Sequence, residues 1–455
     1  MTAADSKFAS RLAQNSAALK IVSEEPALAA YEIDSKRPSA SIFPTSSNEV
    51  AEAIKFAAAE SLAVVPCGAR TKLSIGAIPS RYDVALDVSG MNRVLAYEPR
   101  DLTLGVEPGT RFSSLAAILA REKQFVPLDP PFADNATIGG IIAADSISPL
   151  RQRFGGPRDF VLGMEFVTGY GVQSKSGGRV VKNVTGYDLH KPLIGSLGTL
   201  AVITRINFKT FPMPEREAGF VLKMRDFAAA HEFCRAVFES PLEPATLSVI
   251  SADVLADVVA RRDPAAPAAT GEWSVFATAA GNEAVVARHR RDFFAIAARI
   301  QGAQVSELSP ELCGEISQRI REFPRYAKNF GSSAIVVRIA SLRSVLPAVV
   351  EQLSRSIRSG EIPASILVHA FGVIYVSLQP EAGQSLEAIA TALNAIFAAM
   401  YNLDANARIE SAPLELKKRF GVWGPRREDS DLMARVKRVF DPGNILSPGR
   451  FVEGV

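Results

Sequence analysis

Residues 176–204 read SGGRVVKNVTGYDLHKPLIGSLGTLAVIT, and the interpretation of the whole chain starts from them. Glycines stand at positions 177, 178, 186, 195 and 198, and the stretch ends in the apolar run 200–203. This pattern predicts two turns that lead into a buried strand. Glycine lets backbone NH groups approach a ligand that a Cβ atom would push away. One cluster alone is also typical of an ordinary loop, so the interpretation depends on whether similar clusters occur elsewhere.

Two further glycine loops lie upstream. Residues 66–76 read PCGARTKLSIG after a strand-like run, and residues 136–144 read ATIGGIIAA. We expect each of the three loops to lie at a strand end, where backbone NH donors could face a long anionic ligand such as a pyrophosphate. Arg70, Thr71 and Lys72 are expected to add charge and a hydroxyl group. The combination favours a binding site over three unrelated turns.

Composition narrows the class of protein. The chain has 455 residues, of which 47% are hydrophobic and 22% charged, as in a soluble globular enzyme of two large or three ordinary domains. The net charge of +3 and the scattered basic residues give no reason to expect nucleic acid. Neither a secretory signal pattern nor an apolar run of about 18 residues is found, which favours a cytoplasmic protein, and any membrane association is expected to go through a partner.

Several kinds of site lack their sequence pattern. Cys67, Cys234 and Cys313 form no C-x-x-C pair, which excludes an iron–sulfur cluster or zinc ribbon built from this chain and favours a reducing compartment. The Rossmann fingerprint, the P-loop and the G-x-S-x-G elbow are missing. The four histidines share no ligand-like spacing. Cys67 could be a reactive thiol or a small buried residue, and the second fits its position better. The chain is therefore expected to hold a cofactor that performs the redox chemistry.

The pattern of predicted strands, helices and glycine loops changes at residues 212–214. Before them, strands, helices and glycine loops alternate, including a helix capped by Ser46 with Glu49 and another capped by Ser113 or Ser114. After them, strand-like runs alternate with alanine-rich helices and no glycine loops, which predicts a separate α+β domain containing an exposed linker at 263–267. A helix near 432–440, stopped by Pro442 and Gly443, ends the pattern.

At this point the sequence resembles a known family. The loop 66–76, the segment Thr137 to Gly140, the residues 158–163 and the run 195–204 resemble, in order and spacing, the FAD-binding domain of vanillyl-alcohol oxidase (PCMH-type) flavoproteins. The resemblance implies an α+β fold, with a two-subdomain PCMH-type FAD-binding domain followed by an α+β cap domain. The implied boundaries are an N-terminal arm (1–34), the FAD-binding domain (35–215), the cap or substrate domain (216–410) and a C-terminal segment (411–455) that returns to the FAD domain.

Within this family, the segment 182–189 (KNVTGYDL) and the C-terminal residues 423–425, 440–444 and 448–451 are most similar to the FAD-binding E subunit of glycolate oxidase. Covalent relatives carry a flavin-linked histidine in the first loop. Here Ala69 to Lys72 occupy that loop, so the resemblance implies non-covalent FAD. The resemblance also implies contact between FAD and the following residues: Pro66, Cys67, Gly68, Ala69, Arg70, Thr71, Lys72, Leu73, Pro130, Thr137, Ile138, Gly139, Gly140, Ala144, Ser148, Gly155, Gly198, Val202 and Ile203.

The catalytic group is not identified by the resemblance. Related D-2-hydroxy-acid dehydrogenases hold a metal in a stretch resembling H-x-G-D-G-N-x-H, whereas residues 368–373 keep only His369, so no metal site is expected. His369 is a weak candidate for contact with the substrate. Relatives also have Thr-Asn-Ala-Gly where this chain has Ala144 to Ile147, which bears on how the second loop packs around FAD.

Two functions are compatible with these residues. In the first, a subunit of a glycolate oxidase (D-2-hydroxy-acid dehydrogenase) complex transfers a hydride from a small 2-hydroxy acid to FAD. Electrons then pass to partners, a second flavoprotein subunit and an iron–sulfur subunit. In the alternative, the chain is a non-catalytic FAD-binding subunit for electron transfer or assembly in such a complex, as the reduced histidine complement suggests. A nicotinamide dehydrogenase is disfavoured because its motif is missing.

Overall fold

The structure is a computed structural model that describes residues 19–179, 186–255, 258, 273–326, 334–381 and 383–454. Residues 1–18 of the expected arm, residues 182–185 of the segment 182–189 and the expected linker 263–267 lie outside the described residues. Within the described part, the strands form four sheets of four, five, two and eight strands, with helices packed on them. The α+β fold class is confirmed.

The first sheet has the order β1-β2-β4-β3, and β2, β4 and β3 run parallel. The helix Ser47–Ala59 connects β2 to β3, and the Ser46 hydroxyl caps it by accepting a hydrogen bond from the Glu49 amide at 3.2 Å. Residues 20–22 of the expected arm form the antiparallel edge strand of this sheet. Its strands are β1 (Lys20–Val22), β2 (Ala40–Phe43), β3 (Val64–Cys67) and β4 (Val84–Asp87).

The second sheet is antiparallel, with the order β5-β6-β10-β8-β9, and a two-stranded sheet of β7 and β11 lies beside it. The run 200–203 leads into the central strand β10, as the glycine pattern predicts. The helix Ser47–Ala59 packs between the first and second sheets, where Ile54 meets Val167 and Val202 in one core. The strands are β5 (Val94–Glu98), β6 (Thr103–Val106), β7 (Gln124–Phe125), β8 (Val161–Thr168), β9 (Gln173–Gly177), β10 (Ala201–Lys209) and β11 (Phe211–Pro212).

One predicted helix cap is wrong. The helix that follows β6 spans Phe112–Arg121, and Arg111 rather than Ser113 or Ser114 occupies the N-cap position without a side-chain hydrogen bond. Ser113 lies inside the first turn, and its hydroxyl donates to the Asp134 carbonyl at 3.1 Å. At the first position of the helix, the Phe112 amide donates to the Ala136 carbonyl of the neighbouring loop at 2.9 Å.

The eight-stranded antiparallel sheet forms the cap domain, with the order β15-β12-β14-β13-β17-β18-β16-β19. Four long helices bury one face: Phe227–Phe238, Glu283–Ala297, Leu346–Ser359 and Leu386–Asn402. The helix Pro310–Tyr326 lies on the opposite face, which also meets Ile147 of the FAD domain. The strands are β12 (Arg216–Met224), β13 (Thr246–Ser251), β14 (Trp273–Gly281), β15 (Gln304–Glu307), β16 (Ile335–Ala340), β17 (Ala364–His369), β18 (Val373–Leu378) and β19 (Asn406–Ser411).

The C-terminal residues cross back to the FAD domain. After the helices Leu414–Phe420 and Ser430–Phe440, the Ile445 carbonyl accepts a hydrogen bond from the Val64 amide at 2.7 Å, and the Ser447 amide donates to the Val64 carbonyl at 2.8 Å. The buried Lys437 ammonium donates to the Asp441 carboxylate at 2.7 Å and to the Thr199 carbonyl at 2.7 Å. These bonds join the chain end to both sheets of the FAD domain.

Candidate active site

The first glycine loop follows β3 and leaves a row of backbone donors free. Among the described residues, the amides of Gly68 to Leu73 find no hydrogen-bond acceptor. Arg70 adopts a left-handed conformation with φ +62°, which turns the chain sharply at this point. Free amides along a tight turn form a concave anion-binding surface.

The Arg70 guanidinium was expected to add positive charge to the ligand site, but in the structure it is paired within the protein. The guanidinium donates to the Asp87 carboxylate at 2.7 Å and to the Tyr31 hydroxyl at 3.1 Å, and it lies over the Tyr31 ring. Asp87 is almost fully buried, so its negative charge needs this partner. Arg70 therefore contributes its backbone to the cleft, while its charge is neutralised by Asp87.

The second glycine loop begins a helix instead of ending a strand. Thr137 is the N-cap of the helix Ile138–Ala143. A Cβ atom on Gly68 would lie 2.2 Å from Thr137 Oγ1, so only glycine lets the first loop touch this helix. The amide of Gly140 has no acceptor in the described part of the chain.

The third loop closes the arrangement against the same helix. The Gly195 amide donates to the Ile142 carbonyl at 3.0 Å, and the Leu197 amide donates to the Ala143 carbonyl at 2.8 Å. Gly198 has φ +70° and packs against the Pro66 ring. The structure thus brings the three loops together, as the sequence predicted.

These loops line one cleft, which contains 15 of the 19 residues named as FAD contacts. The other four lie outside its lining. Ile138 is in the core of the second sheet, Ser148 bonds to the Leu150 amide, Gly155 ends the short helix Arg151–Phe154, and Pro130 lies in the loop that meets the cap domain. The cleft also has lining residues that are not among the expected FAD contacts: Val65, Val88, Pro108, Ala143, Ser196, Leu197, Ala201 and Arg450.

Arg450 is the most informative of these additions. Its Nη2 atom donates to the carbonyls of Leu73 and Ile75, which holds the first loop in place. Its Nη1 atom is buried and has no partner among the described residues. Burial lowers the pKa of the guanidinium to about 10, although Asp34 and Tyr82 partly oppose this shift. A buried donor without an acceptor beside a row of free amides fits the pyrophosphate of a dinucleotide cofactor.

A second cavity lies between this cleft and the cap sheet, and Thr71, Lys72 and Ala144 line both. Three residues stand side by side across adjacent strands on its cap wall: Arg408 opposite Arg338, and Arg338 opposite Tyr375. The remaining lining residues are Ser74, Ile75, Pro131, Phe132, Asp145, Ser146, Ile147, Pro324, Glu410 and Ser411.

Glu410 lies between the two arginines of this row. Its carboxylate accepts hydrogen bonds from Arg408 at 2.6 and 2.9 Å and lies 3.6 Å from Arg338. Burial alone would raise the pKa of Glu410, but Arg408 and Arg338 lower it below the usual value. Arg338 also lies 3.8 Å from Asp145 of the FAD domain. Like charges on opposing strands repel each other, and the Glu410 carboxylate between the two guanidinium groups offsets part of this repulsion.

Two family models match the chain. Residues 38–176 match an FAD binding domain, and residues 417–451 match the C-terminal domain of FAD linked oxidases. The first match covers the first two glycine loops, and the second contains Arg450. The chain is an FAD-linked oxidoreductase.

Curated relatives of this flavoprotein include the glycolate oxidase subunit GlcD of Bacillus subtilis, which is 25% identical over 91% of this chain and 88% of the relative. The glycolate oxidase subunit GlcE of Escherichia coli is 35% identical, but over only 36% of this chain and 46% of the relative. D-2-hydroxyglutarate dehydrogenase of Stutzerimonas stutzeri is 30% identical over 54% of each chain. The resemblance to the glycolate oxidase group is confirmed, whereas these matches do not single out the E subunit.

Solved structures share the fold of the flavoprotein over nearly its whole length. p-Cresol methylhydroxylase with substrate bound has a TM-score of 0.76 at 17% identity, covering 99% of this chain and 97% of that structure. 4-Ethylphenol oxidase from Gulosibacter chungangensis has a TM-score of 0.75 at 16% identity, with the same coverage. The PCMH-type fold is confirmed.

The histidines of the flavoprotein lie outside both clefts. His369 is buried, its Nδ1 atom is 3.0 Å from the Ser248 hydroxyl, and its ring stacks on Phe371. Burial, assisted by Arg338, lowers the pKa of His369 to about 3, so its ring is neutral. Within the described residues, no group of three or more His, Cys, Asp or Glu side chains could hold a metal ion.

Two further observations concern Cys67 and the membrane. Burial raises the pKa of the Cys67 thiol well above its usual value, so the thiol stays protonated and is a poor nucleophile.

Among the described helices, none is both long enough and apolar enough to cross a bilayer.

Proposed function

We propose that the flavoprotein oxidises a small 2-hydroxy acid, with FAD in the cleft of the three glycine loops and the substrate in the second cavity. The observation that carries this proposal is the row Arg408, Arg338 and Tyr375 on the cap sheet, which lines one cavity together with Lys72 of the first glycine loop. Three cations and only two carboxylates line this cavity, so it suits an anionic substrate.

The chain's own residues would bind and orient both molecules. The free amides of the loop 68–73 and the Arg450 guanidinium would hold the FAD pyrophosphate, and bound FAD would supply the ring that accepts a hydride. Arg338, already shared between Glu410 and Asp145, would hold the substrate carboxylate. Burial raises the pKa of Tyr375, so its hydroxyl stays protonated and can donate a hydrogen bond to the substrate.

The names of the relatives narrow the substrate to glycolate, D-lactate or a similar D-2-hydroxy acid. The segment 182–189 and the higher identity to GlcE over 164 residues support a subunit of the E type. We further propose that electrons leave to a second flavoprotein subunit and an iron–sulfur subunit of a complex.

The decisive experiment is the visible spectrum of the purified holoprotein before and after anaerobic addition of glycolate, D-lactate or L-lactate. Bleaching of the flavin by glycolate or D-lactate, followed by turnover with an artificial electron acceptor, is the expected result. If the protein is fully loaded with FAD and no 2-hydroxy acid bleaches the flavin, the proposed oxidation is wrong and the non-catalytic FAD-binding function is favoured.

The flavin is proposed to be held without a covalent bond. In the first loop, Ala69, Arg70, Thr71 and Lys72 offer no histidine for attachment. Acid precipitation of the holoprotein should therefore release all of the flavin into the supernatant. Yellow colour that stays with the precipitate after unfolding would contradict this.

A further inference from the structure

Lys72 is a cation without an ionic partner at the boundary of the two clefts. Its ammonium donates to the Pro131 carbonyl at 3.3 Å and lies 5.7 Å from the centroid of the Phe132 ring. In the described part of the chain, no carboxylate oxygen lies within 4.0 Å of this nitrogen. A half-buried ammonium in such a place is expected to have a negatively charged neighbour in the working protein.

The loop that holds Lys72 is itself fixed from the cap domain. Phe132 has a left-handed backbone with φ +62°, an unfavourable conformation for an aromatic residue. Both oxygens of Glu322 accept a hydrogen bond from its amide, at 3.1 and 3.2 Å. Arg321 donates to Asp129 in the same loop at 3.1 Å. The position of the ammonium is therefore built by two domains together.

Other charges face Lys72 from every side, and each already has a partner. Glu322 from the cap helix bonds to the Phe132 amide, and Glu410 from β19 bonds to Arg408. Asp145 lies near Arg151 and Arg338. Burial lowers the pKa of Lys72 to about 8, with Glu322 and Glu410 opposing the shift, so the ammonium persists at neutral pH.

The flavin ring of FAD is joined to the phosphates and has to contact the substrate, so it lies between the two binding sites. If the phosphates occupy the loop 68–73 and the substrate occupies the second cavity, the ring lies at the boundary that Lys72 lines. We propose that the Lys72 ammonium is the counter-charge for the negative charge that the flavin ring gains on reduction. This inference rests on the proposed function only for the position of the substrate.

Sulfite provides a test that needs no substrate. Its sulfur lone pair forms a bond to the oxidised ring, which takes up the electron pair and becomes negatively charged, so a nearby cation tightens the adduct. In the FAD-loaded protein at pH 7, K72M should weaken sulfite binding about tenfold, and K72R should stay within about threefold of the wild type. The exposed Lys175 on β9 supplies the control K175M, which should change nothing.

The pH dependence of sulfite affinity distinguishes an effect of the Lys72 charge from an effect of the shape of its side chain. The ratio of the K72M to the wild-type dissociation constant should fall towards one between pH 7 and pH 10, because the wild type loses the Lys72 proton while the chemistry of sulfite cancels in the ratio. A ratio of one at pH 7, or a ratio that does not change with pH, overturns the proposal. If K72M retains no FAD, K72Q replaces it; loss of FAD from both, but not from K175M, also overturns the proposal.

Failure of this proposal is distinguishable from failure of the proposed function. A protein that binds sulfite tightly through Lys72 but is bleached by no 2-hydroxy acid keeps the counter-charge and loses the substrate assignment. The reverse pattern, bleaching by a 2-hydroxy acid with unchanged sulfite affinity in K72M, keeps the function and removes the role of Lys72.

Discussion

Gly68 is the residue at which the first two walls of the cofactor cleft touch. A methyl group there would collide with Thr137 Oγ1, and either the loop or the helix would have to move. We expect G68A to lose most of its bound FAD and to be destabilised by about 1–3 kcal/mol, as in other overpacked sites. Flavin content per chain and the melting temperature measure both effects.

The collision can be relieved from the other side. T137A removes the atom nearest to the added methyl group, so G68A/T137A should recover part of the FAD content that G68A loses. G178A is the matched control, because a Cβ atom at that glycine meets nothing within 4 Å. Equal FAD content in G68A and G178A would contradict the close contact.

Arg450 is predicted to contribute both position and charge to FAD binding. R450M removes the bonds to Leu73 and Ile75 together with the unpaired Nη1 donor, and we expect FAD affinity to fall at least about tenfold. Titration of the apoprotein with FAD measures this. R435M, on the exposed side of the last helix, should leave the affinity unchanged.

Single residues show where sequence reasoning stops. The glycines of the cleft could be recognised because their role is local, within a few residues of a turn. The pairing of Arg70 with Asp87 and the bond from Arg450 to Leu73 join residues 17 and 377 positions apart, and no periodicity reports such contacts.

At the scale of elements, the helix Pro310–Tyr326 contacts the loop 129–132 through Arg321 and Glu322. Burial raises the pKa of Asp129 to about 6, although Arg321 opposes the shift. The folded protein therefore holds a proton on Asp129 more tightly than the unfolded chain, and the stability gained from it is lost as the pH rises towards 6. Between about pH 4 and pH 6.5, the wild type should lose about 1–3 kcal/mol relative to D129N.

Thermal unfolding of the two proteins at both pH values measures this difference, and all other titrating groups cancel in the comparison. D134N, in which the changed side chain lies nearby without an ion pair to the cap helix, is the control and should show no such trend. A gap between D129N and the wild type that stays constant with pH would show that Asp129 is ionised throughout.

The alternation of strands and alanine-rich helices after residues 212–214 was foreseen, and two departures from the expected pattern have physical causes. Strands such as Val373–Leu378 and helices such as Phe227–Phe238 follow clear hydrophobic periods. The helix Pro310–Tyr326 was missed because it carries many charged residues and a proline at position 324. The second glycine loop was expected at a strand end, but Thr137 begins a helix that buries Ile138 and Ile141.

At the scale of the molecule, the second cavity exists only because the cap sheet faces the FAD domain. R338M should lower kcat/KM for the substrate about 100-fold, since a charge-assisted contact to its carboxylate is lost, while FAD content and sulfite affinity stay near the wild type. R343M alters an exposed arginine that follows the same strand and should not affect turnover. Equal turnover in R338M and the wild type would exclude Arg338 from the substrate site.

The arginine row also explains why the cavity could not be read from the sequence. Arg338, Tyr375 and Arg408 are far apart in the chain and become neighbours only through the register of β16, β18 and β19. A shift of one residue in any of these strands would turn its side chain to the helix-covered face. The fold class was therefore accessible from patterns, whereas the substrate wall depended on strand pairing.

The return of the chain end has a consequence for biosynthesis. The cofactor cleft gains its last wall only when Arg450 reaches Leu73, and residues 445–447 pair with β3 only after nearly the whole chain has left the ribosome. The cofactor cleft therefore stays incomplete while residues 445–450 are still being synthesised. We therefore expect FAD to bind only after residues 445–450 have emerged from the ribosome and paired with β3, and we expect chains truncated before residue 445 to bind no FAD.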